Sequence, residues 1–456
     1  MKITTYFILF LSSLTFTSCE SFLDVQPKDA VSDEVTIVDR TSAETAVRGI
    51  YSALRADGYY GYSFQILGFF SGDNIVYSGS QTVHQTLTNH SVRSDLAVLA
   101  TVWNQIYHTI NRANHVIAKV PTLPVTTGFT EENKNQLVGE AYFVRALAYF
   151  DLARTWGGVQ LILEPTSSAS SLPDLPRSTL QQTYEQVHLD LQRAEELLPA
   201  TTNRIRATRQ SARALLARYY LYQKNWDQAI RYASYLIEDQ TNYGLVTPYH
   251  SFYSNNASNT RESVFELFYD VNNTNNQAGQ WLASANGGTA WIRPSGTIFN
   301  LLTNPEIGGD RSSLVYRTAT ATEPNVLIGN LYYRVNRTDP AFLIRTAELY
   351  LIRAEALAER NGAGDLLAAT TDLNAIRDRA NVPLFTEPSN RAALILAIEQ
   401  ENRVEFALEN HRWYDLIRTG RAQEVLNISD VNRLLLPIPF SQVAIDPNLT
   451  QNPGLD

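Results

Sequence analysis

Four aromatic residues lie in the loop-rich segments of the chain: Tyr77, Tyr269, Trp281 and Trp291. They are the side chains of this chain best suited to meet the carbon–hydrogen faces of pyranose rings, because Trp and Tyr give large flat contact area at low entropic cost. Planar polar groups must then meet the ring hydroxyls, and Asp73, Asn74, Arg93 and Arg293 are their companions. Packing beneath a loop is the competing role for each aromatic, and a simple turn is the competing role for Asp73 and Asn74. Trp281 leads the set, flanked by Gly279, Gln280 and Ala283. Trp103, Trp156, Trp226 and Trp413 fall in helical patterns and are assigned to the core.

Catalytic constellations are missing from the sequence. It holds no HExxH, no Gly-Lys-Ser/Thr phosphate loop and no GxSxG elbow. His108 and His115 share a helix at i and i+7, which reads as structural and not as a metal pair. Glu401 and Glu405 stand one turn apart on one helix, whereas glycosidase carboxylates must face each other across a cleft about 5–10 Å wide. Arg403 and Arg412 nearby make salt bridging the better account of that pair. The reading is therefore a binder and not an enzyme, with no cofactor and no metal.

Cys19 is the single cysteine. It follows Lys2, the apolar run Tyr6 to Leu11, and Phe16-Thr17-Ser18. A basic start, a short apolar core and small residues at the cut are the parts of an export signal, and the run is too short to span a bilayer. A cysteine at the first mature position adds a thiol for lipid attachment. Phe16 departs from the Leu usual three residues before such a cysteine, and a free thiol in an ordinary secreted protein is the alternative. Multiple acylation at Cys19 would hold the protein firmly, since each buried methylene contributes roughly 0.8 kcal/mol. A net charge of −9 argues against nucleic-acid binding. Arginine outnumbers lysine and falls mostly in helical patterns, as buried ion pairs require.

Helical periods supply the positioning elements. Thr41 and Glu44 have capping-box spacing ahead of Ala46, Ile50 and Leu54. Residues 71–94 read as a long loop. Leu99 to Ile117 form a helix stopped by Pro121, and a second runs from Thr130 to Gly157-Gly158. A further helix starts at Ser178, with Gln181 completing its box, and stops before Pro199. Ala217, Tyr220, Trp226, Ala229 and Ala233 have the spacing of a tetratricopeptide helix pair, and Leu343 to Ala380, broken at Asn361-Gly362, give a second pair. Between them, Phe265, Leu267 and Tyr269 alternate as a strand, and Gly329-Asn330 signals a turn before Leu331. Helix pairs cannot bury their faces singly, so the two separated pairs must meet in space.

Several blocks in order resemble the SusD/RagB family of outer-membrane nutrient-binding lipoproteins. They are Cys19 to Asp24, Trp103 to Asn114 (WNQIYHTINRAN), Gly139 to Gly158 (GEAYFVRALAYFDLARTWGG), Glu348 to Arg379, Glu401 to Gly420 (ENRVEFALENHRWYDLIRTG) and Leu435 to Leu455. The resemblance implies a mostly α fold with about four tetratricopeptide-like helix pairs and an irregular, ligand-facing remainder carrying a few short strands. It implies a SusC-like TonB-dependent outer-membrane β-barrel as partner, with the lipoprotein as its lid, on the cell exterior of a Gram-negative bacterium. Ligand-contacting positions vary within the family, so no binding residue is carried over.

The expected organisation is a signal peptide (1–18), a tether (19–40), a helical part (41–240), a loop- and strand-rich insertion (241–340) and C-terminal helices with a tail (341–456), with 19–456 forming one composite domain. The expected function is capture of a glycan, oligo- or polysaccharide, and its delivery to the transporter. A peptide importer of the same family and a ligand-free helix-repeat scaffold of the envelope are the alternatives.

Overall fold

The computed structural model describes residues 37–166, 175–320 and 323–455. Cys19, the signal segment and most of the tether lie outside the described residues. Mostly α, as expected, the fold begins with α1 (Arg40–Leu54), α2 (Ser63–Ser71), β1 (Ile75–Tyr77), α3 (Thr82–Thr88), α4 (Ala97–Lys119) and α5 (Glu131–Trp156). There follow α6 (Leu180–Leu197), α7 (Arg209–Tyr222), α8 (Trp226–Ile237), β2 (Ser263–Leu267), α9 (Ala278–Trp281), β3 (Ile292–Pro294) and α10 (Gly296–Thr303). The last elements are β4 (Val315–Thr318), β5 (Val326–Gly329), β6 (Ala341–Arg345), α11 (Thr346–Arg360), α12 (Asp365–Arg379), α13 (Arg391–Glu405), α14 (Arg412–Arg418), α15 (Ala422–Leu426) and α16 (Phe440–Val443).

Consecutive long helices pack side by side: α4 on α5, α5 on α6, α7 on α8, and α11 on α12. Ala217, Ala229 and Ala233 are fully buried where α7 meets α8, since only small side chains allow the backbones so close. The two separated pairs do meet, because α11 packs directly on α8. Thr130 starts α5 with a capping box to Asn133, and Gly157, at φ 82°, ends it in a conformation that suits glycine.

Several local expectations shift. The first capping box is Asp39 with Ser42, two residues earlier than Thr41 and Glu44. Thr179 with Gln182 caps α6, one residue beyond Ser178 and Gln181. Residues 71–94 are not one loop; they hold β1 and α3. Leu343 lies in β6 and not in a helix. The strand at 263–267 is buried along its whole length, so it shows no in-and-out pattern of exposure.

The strands form three two-stranded antiparallel ribbons, β1 with β3, β2 with β6 and β4 with β5. A buried charge network clamps the middle ribbon to the C-terminal helices. Arg345, at the end of β6, donates to Glu262 at 2.5 Å, Glu405 at 2.9 Å and Glu409 at 2.7 Å. Arg379 of α12 reaches Glu262 and Glu405. Arg311 reaches Glu405 at 2.8 Å and Glu401. All seven side chains are buried, and half-buried Arg377 on Glu401 brings the charges into balance. Buried charges of this kind are tolerated only when paired and hydrogen-bonded.

Candidate ligand-binding site

The β1–β3 ribbon pairs Val76 with Arg293 and Tyr77 with Ile292. The strand period puts Ile75 and Ile292 inward, where both are buried, and sends Val76, Arg293 and Trp291 to the other face. The ribbon continues past its strands, as Ser78 donates its N–H to the Trp291 carbonyl at 2.8 Å and its hydroxyl to the Ala290 carbonyl at 2.9 Å. Trp291 is 36% exposed, its ring edge-on to Tyr77 at 6.2 Å. Arg293 donates to both carboxylate oxygens of Glu323, at 2.9 and 2.8 Å, and to the Ala290 carbonyl at 2.7 Å. The guanidinium is thereby fixed on the face of the ribbon that also carries Trp291. Behind the ribbon, Ala290 joins Ala283, Val326 and Ile328 in a small apolar cluster that seats it on β5.

The ribbon is rooted by Asp73 and Asn74. Asp73 accepts from Arg403 at 2.7 Å and from Arg412 at 2.8 Å, and Asn74 accepts from Arg403 at 2.9 Å. Asn74 is buried. Asp73 and Asn74 therefore tie β1 to α13 and α14, and their polar groups are spent on that task. Arg403 and Arg412 are the arginines expected to pair with Glu401 and Glu405; those carboxylates do form salt bridges, but with Arg311, Arg345, Arg377 and Arg379.

Two of the four aromatics are not where the ligand reading needed them. Trp281 is fully buried, edge-on to Phe69 at 5.6 Å and against Tyr332 at 6.0 Å. The slot for its ring exists because position 329 is glycine: a Cβ there would stand 2.6 Å from the indole. Tyr269 is 4% exposed, its hydroxyl directed at the Arg55 carbonyl. Arg93 is open to solvent but lies on the loop leading into α4, paired with Asp95 at 2.9 Å. The structure thus brings together Tyr77, Trp291 and Arg293, and leaves Trp281, Tyr269, Asn74 and Arg93 apart from them. Gln280 and Thr289, in the segment leading to Trp291, hydrogen-bond to each other at 3.3 Å.

Of the other tryptophans, Trp103, Trp156 and Trp413 are buried as assigned, whereas Trp226 is only half-buried. His84 stacks on Tyr77 at 4.1 Å and meets the Tyr62 hydroxyl at 3.1 Å. Burial pushes its pKa down to about 4. A histidine neutral in the fold takes up its proton in the unfolded chain first, so its contribution to stability is full at neutral pH and declines as pH falls from about 6.5 to 4. An NMR titration of the imidazole should place its midpoint near 4, and a midpoint near 6.5 would refute the packed, neutral ring behind Tyr77.

Among the described residues no cluster of His, Cys, Asp and Glu is arranged to hold a metal ion, and no helix is long and apolar enough to cross a membrane. His108 accepts from Arg112 at 3.2 Å.

Comparison with known proteins bears on family and fold. Residues 21–221 match a family described as starch-binding and associating with the outer membrane, and residues 297–433 match the SusD family. SusD-like protein P38 of Formosa agariphila is 27% identical over 508 residues, covering 99% of this chain and 98% of that protein. A SusD-like protein of Bacteroides ovatus is 23% identical over 90% of this chain and 81% of that one. A solved SusD superfamily protein from Bacteroides vulgatus superposes with a TM-score of 0.81 at 23% identity, covering 91% of this chain and 99% of that one. A solved laminarin-binding SusD-like protein gives 0.75 at 23% identity, covering 92% and 100%. At these identities the solved structures speak for the fold.

Proposed function

The chain belongs to the SusD/RagB family, and from that premise we propose that it captures a glycan at the cell surface and delivers it to a TonB-dependent outer-membrane transporter. The observation that carries the reading is Trp291, a tryptophan 36% exposed on a ribbon whose root is locked by ion pairs. A rigid exposed indole beside a fixed guanidinium offers a sugar one apolar face and one set of planar donors. Tyr77 backs the indole, Asp73 and Asn74 root the ribbon from outside that contact, and Arg93, paired with Asp95, takes no part in it. The laminarin-binding neighbour and the starch-binding family description support a carbohydrate as ligand. Lipidation of Cys19 would supply the anchor, and the barrel the exit. Micromolar affinity, about −8 kcal/mol, is enough for a polymer met at several sites.

Glu401 and Glu405, the pair weighed above as glycosidase carboxylates, are buried and engaged by arginines, which supports a binder that leaves the glycan intact. The test is affinity electrophoresis through gels containing single polysaccharides, laminarin and starch included, with reducing ends assayed alongside. Retardation without new reducing ends is expected. Release of reducing ends would overturn the binder reading, and free migration through every polymer would overturn the glycan.

A further inference from the structure

We propose that a second pocket, between the tip of the α7–α8 pair and helices α11, α13 and α14, binds a small monocarboxylate with an apolar body. The pocket encloses about 330 Å³ and is walled by Leu221, Trp226, Ile395, Ile398, Phe406 and Leu416, with Leu396, 55% exposed, at its mouth. A volume in this range suits a small organic molecule, and apolar walls favour its hydrocarbon part.

The charge comes from what the wall leaves unused. Every carboxylate lining the pocket is already taken: Glu355 by Arg418 through both oxygens, Glu399 by Arg412 and Arg421, Glu359 by Arg391, and Asp415 by Arg418. Arg403 spends its Nε and Nη2 donors on Asn74 and Asp73. Among the described residues, by contrast, Lys224 makes no ion pair, Asn402 makes no side-chain hydrogen bond, and the Trp226 indole N–H has no acceptor. The free capacity thus includes one ammonium, one amide and one indole N–H, all able to donate. A carboxylate uses them; an amine would have to displace an arginine from an existing pair. An adjoining polar cavity of about 40 Å³ shares Asn402, Asp415 and Arg418 with the pocket and is lined by Gln65, whose buried Oε1 has no partner. It has room for a water and not for a ligand body, so the acid is held in the outer pocket.

The test is calorimetric titration of the purified protein with 4-phenylbutyrate, 4-phenylbutanamide and 4-phenylbutylamine. The acid is expected to bind at least tenfold more tightly than the amide or the amine. Lys224→Met, an exposed change, should weaken the acid at least tenfold without lowering the melting temperature, and Leu396→Trp should block the mouth to all three probes. Trp291→Ala should leave the acid's affinity unchanged, which separates this pocket from the glycan site. Equal binding of acid and amine, no binding of the acid, or an unchanged affinity in Lys224→Met would each overturn the proposal.

Discussion

Replacing Glu405 with alanine should destabilise the protein by about 3–5 kcal/mol, the cost of leaving buried charges without their partner. Glu405 accepts from Arg311, Arg345 and Arg379, which come from three separate parts of the chain. Removing it leaves the three buried guanidinium groups one carboxylate short, with Glu262, Glu401 and Glu409 their remaining partners. Glu405→Gln keeps the volume and some acceptor capacity but not the charge, so it should fall between wild type and alanine. The three arginines hold the Glu405 carboxyl well below the usual carboxylate range, against the opposing effect of burial. Its sign follows: a depressed folded pKa contributes stability above the unfolded carboxylate pKa and loses it as pH falls. The gap between wild type and alanine in urea unfolding should therefore be widest near neutrality and narrow below about pH 4. A gap that is flat with pH, or smaller than about 1 kcal/mol, would contradict the network as described.

Trp291→Ala should cost the glycan at least tenfold in affinity, and on the order of thirtyfold if the indole is the dominant contact, which corresponds to about 2 kcal/mol. The fold should be unaffected, because the ring is exposed and the strand pairing of β3 runs through backbone groups. Trp291→Phe should retain part of the binding, having a smaller flat face. Trp281→Phe provides the contrast: its ring fills a buried slot against Gly329, so the expected effect is a lower melting temperature with the glycan midpoint unchanged. Retardation in a polysaccharide gel, read together with thermal melts, distinguishes the two. If Trp291→Ala migrates like wild type, the ribbon is not the sugar platform.

The helices were legible because their signals are local. Leu99 to Ile117 and the run after Thr130 declare themselves by period and cap, and the structure places both. The caps slipped by one or two residues where polar residues competed, as with Ser178 and Thr179, since either can satisfy the exposed N–H groups. Residues 71–94 misled because Gly, Ser and Asn mark turns equally well around short elements as through long loops, and β1 has only three residues. The ion pairs were legible in kind but not in partner. Glu401 and Glu405 were rightly read as salt-bridged, yet Arg311 and Arg345 lie 90 and 60 positions away, beyond anything helical spacing can see. Trp281 failed for the same reason: the glycine that makes room for it is on another strand. The family was legible because six weak blocks in a fixed order are jointly specific.

The tail gives the chain a particular assembly problem. The Trp156 indole N–H, at the end of α5, donates to the Pro437 carbonyl, 281 residues later, and Asn452 donates to the Trp156 carbonyl across 296 residues. The longest helix among the described residues is therefore sealed by a segment nearly 300 positions further along the chain. Contacts so distant in sequence are slow to find, since the entropy of closing the intervening loop is lost before they form. A chain built this way gains this seal late in folding, after the segments that lie between the two partners have found their own places.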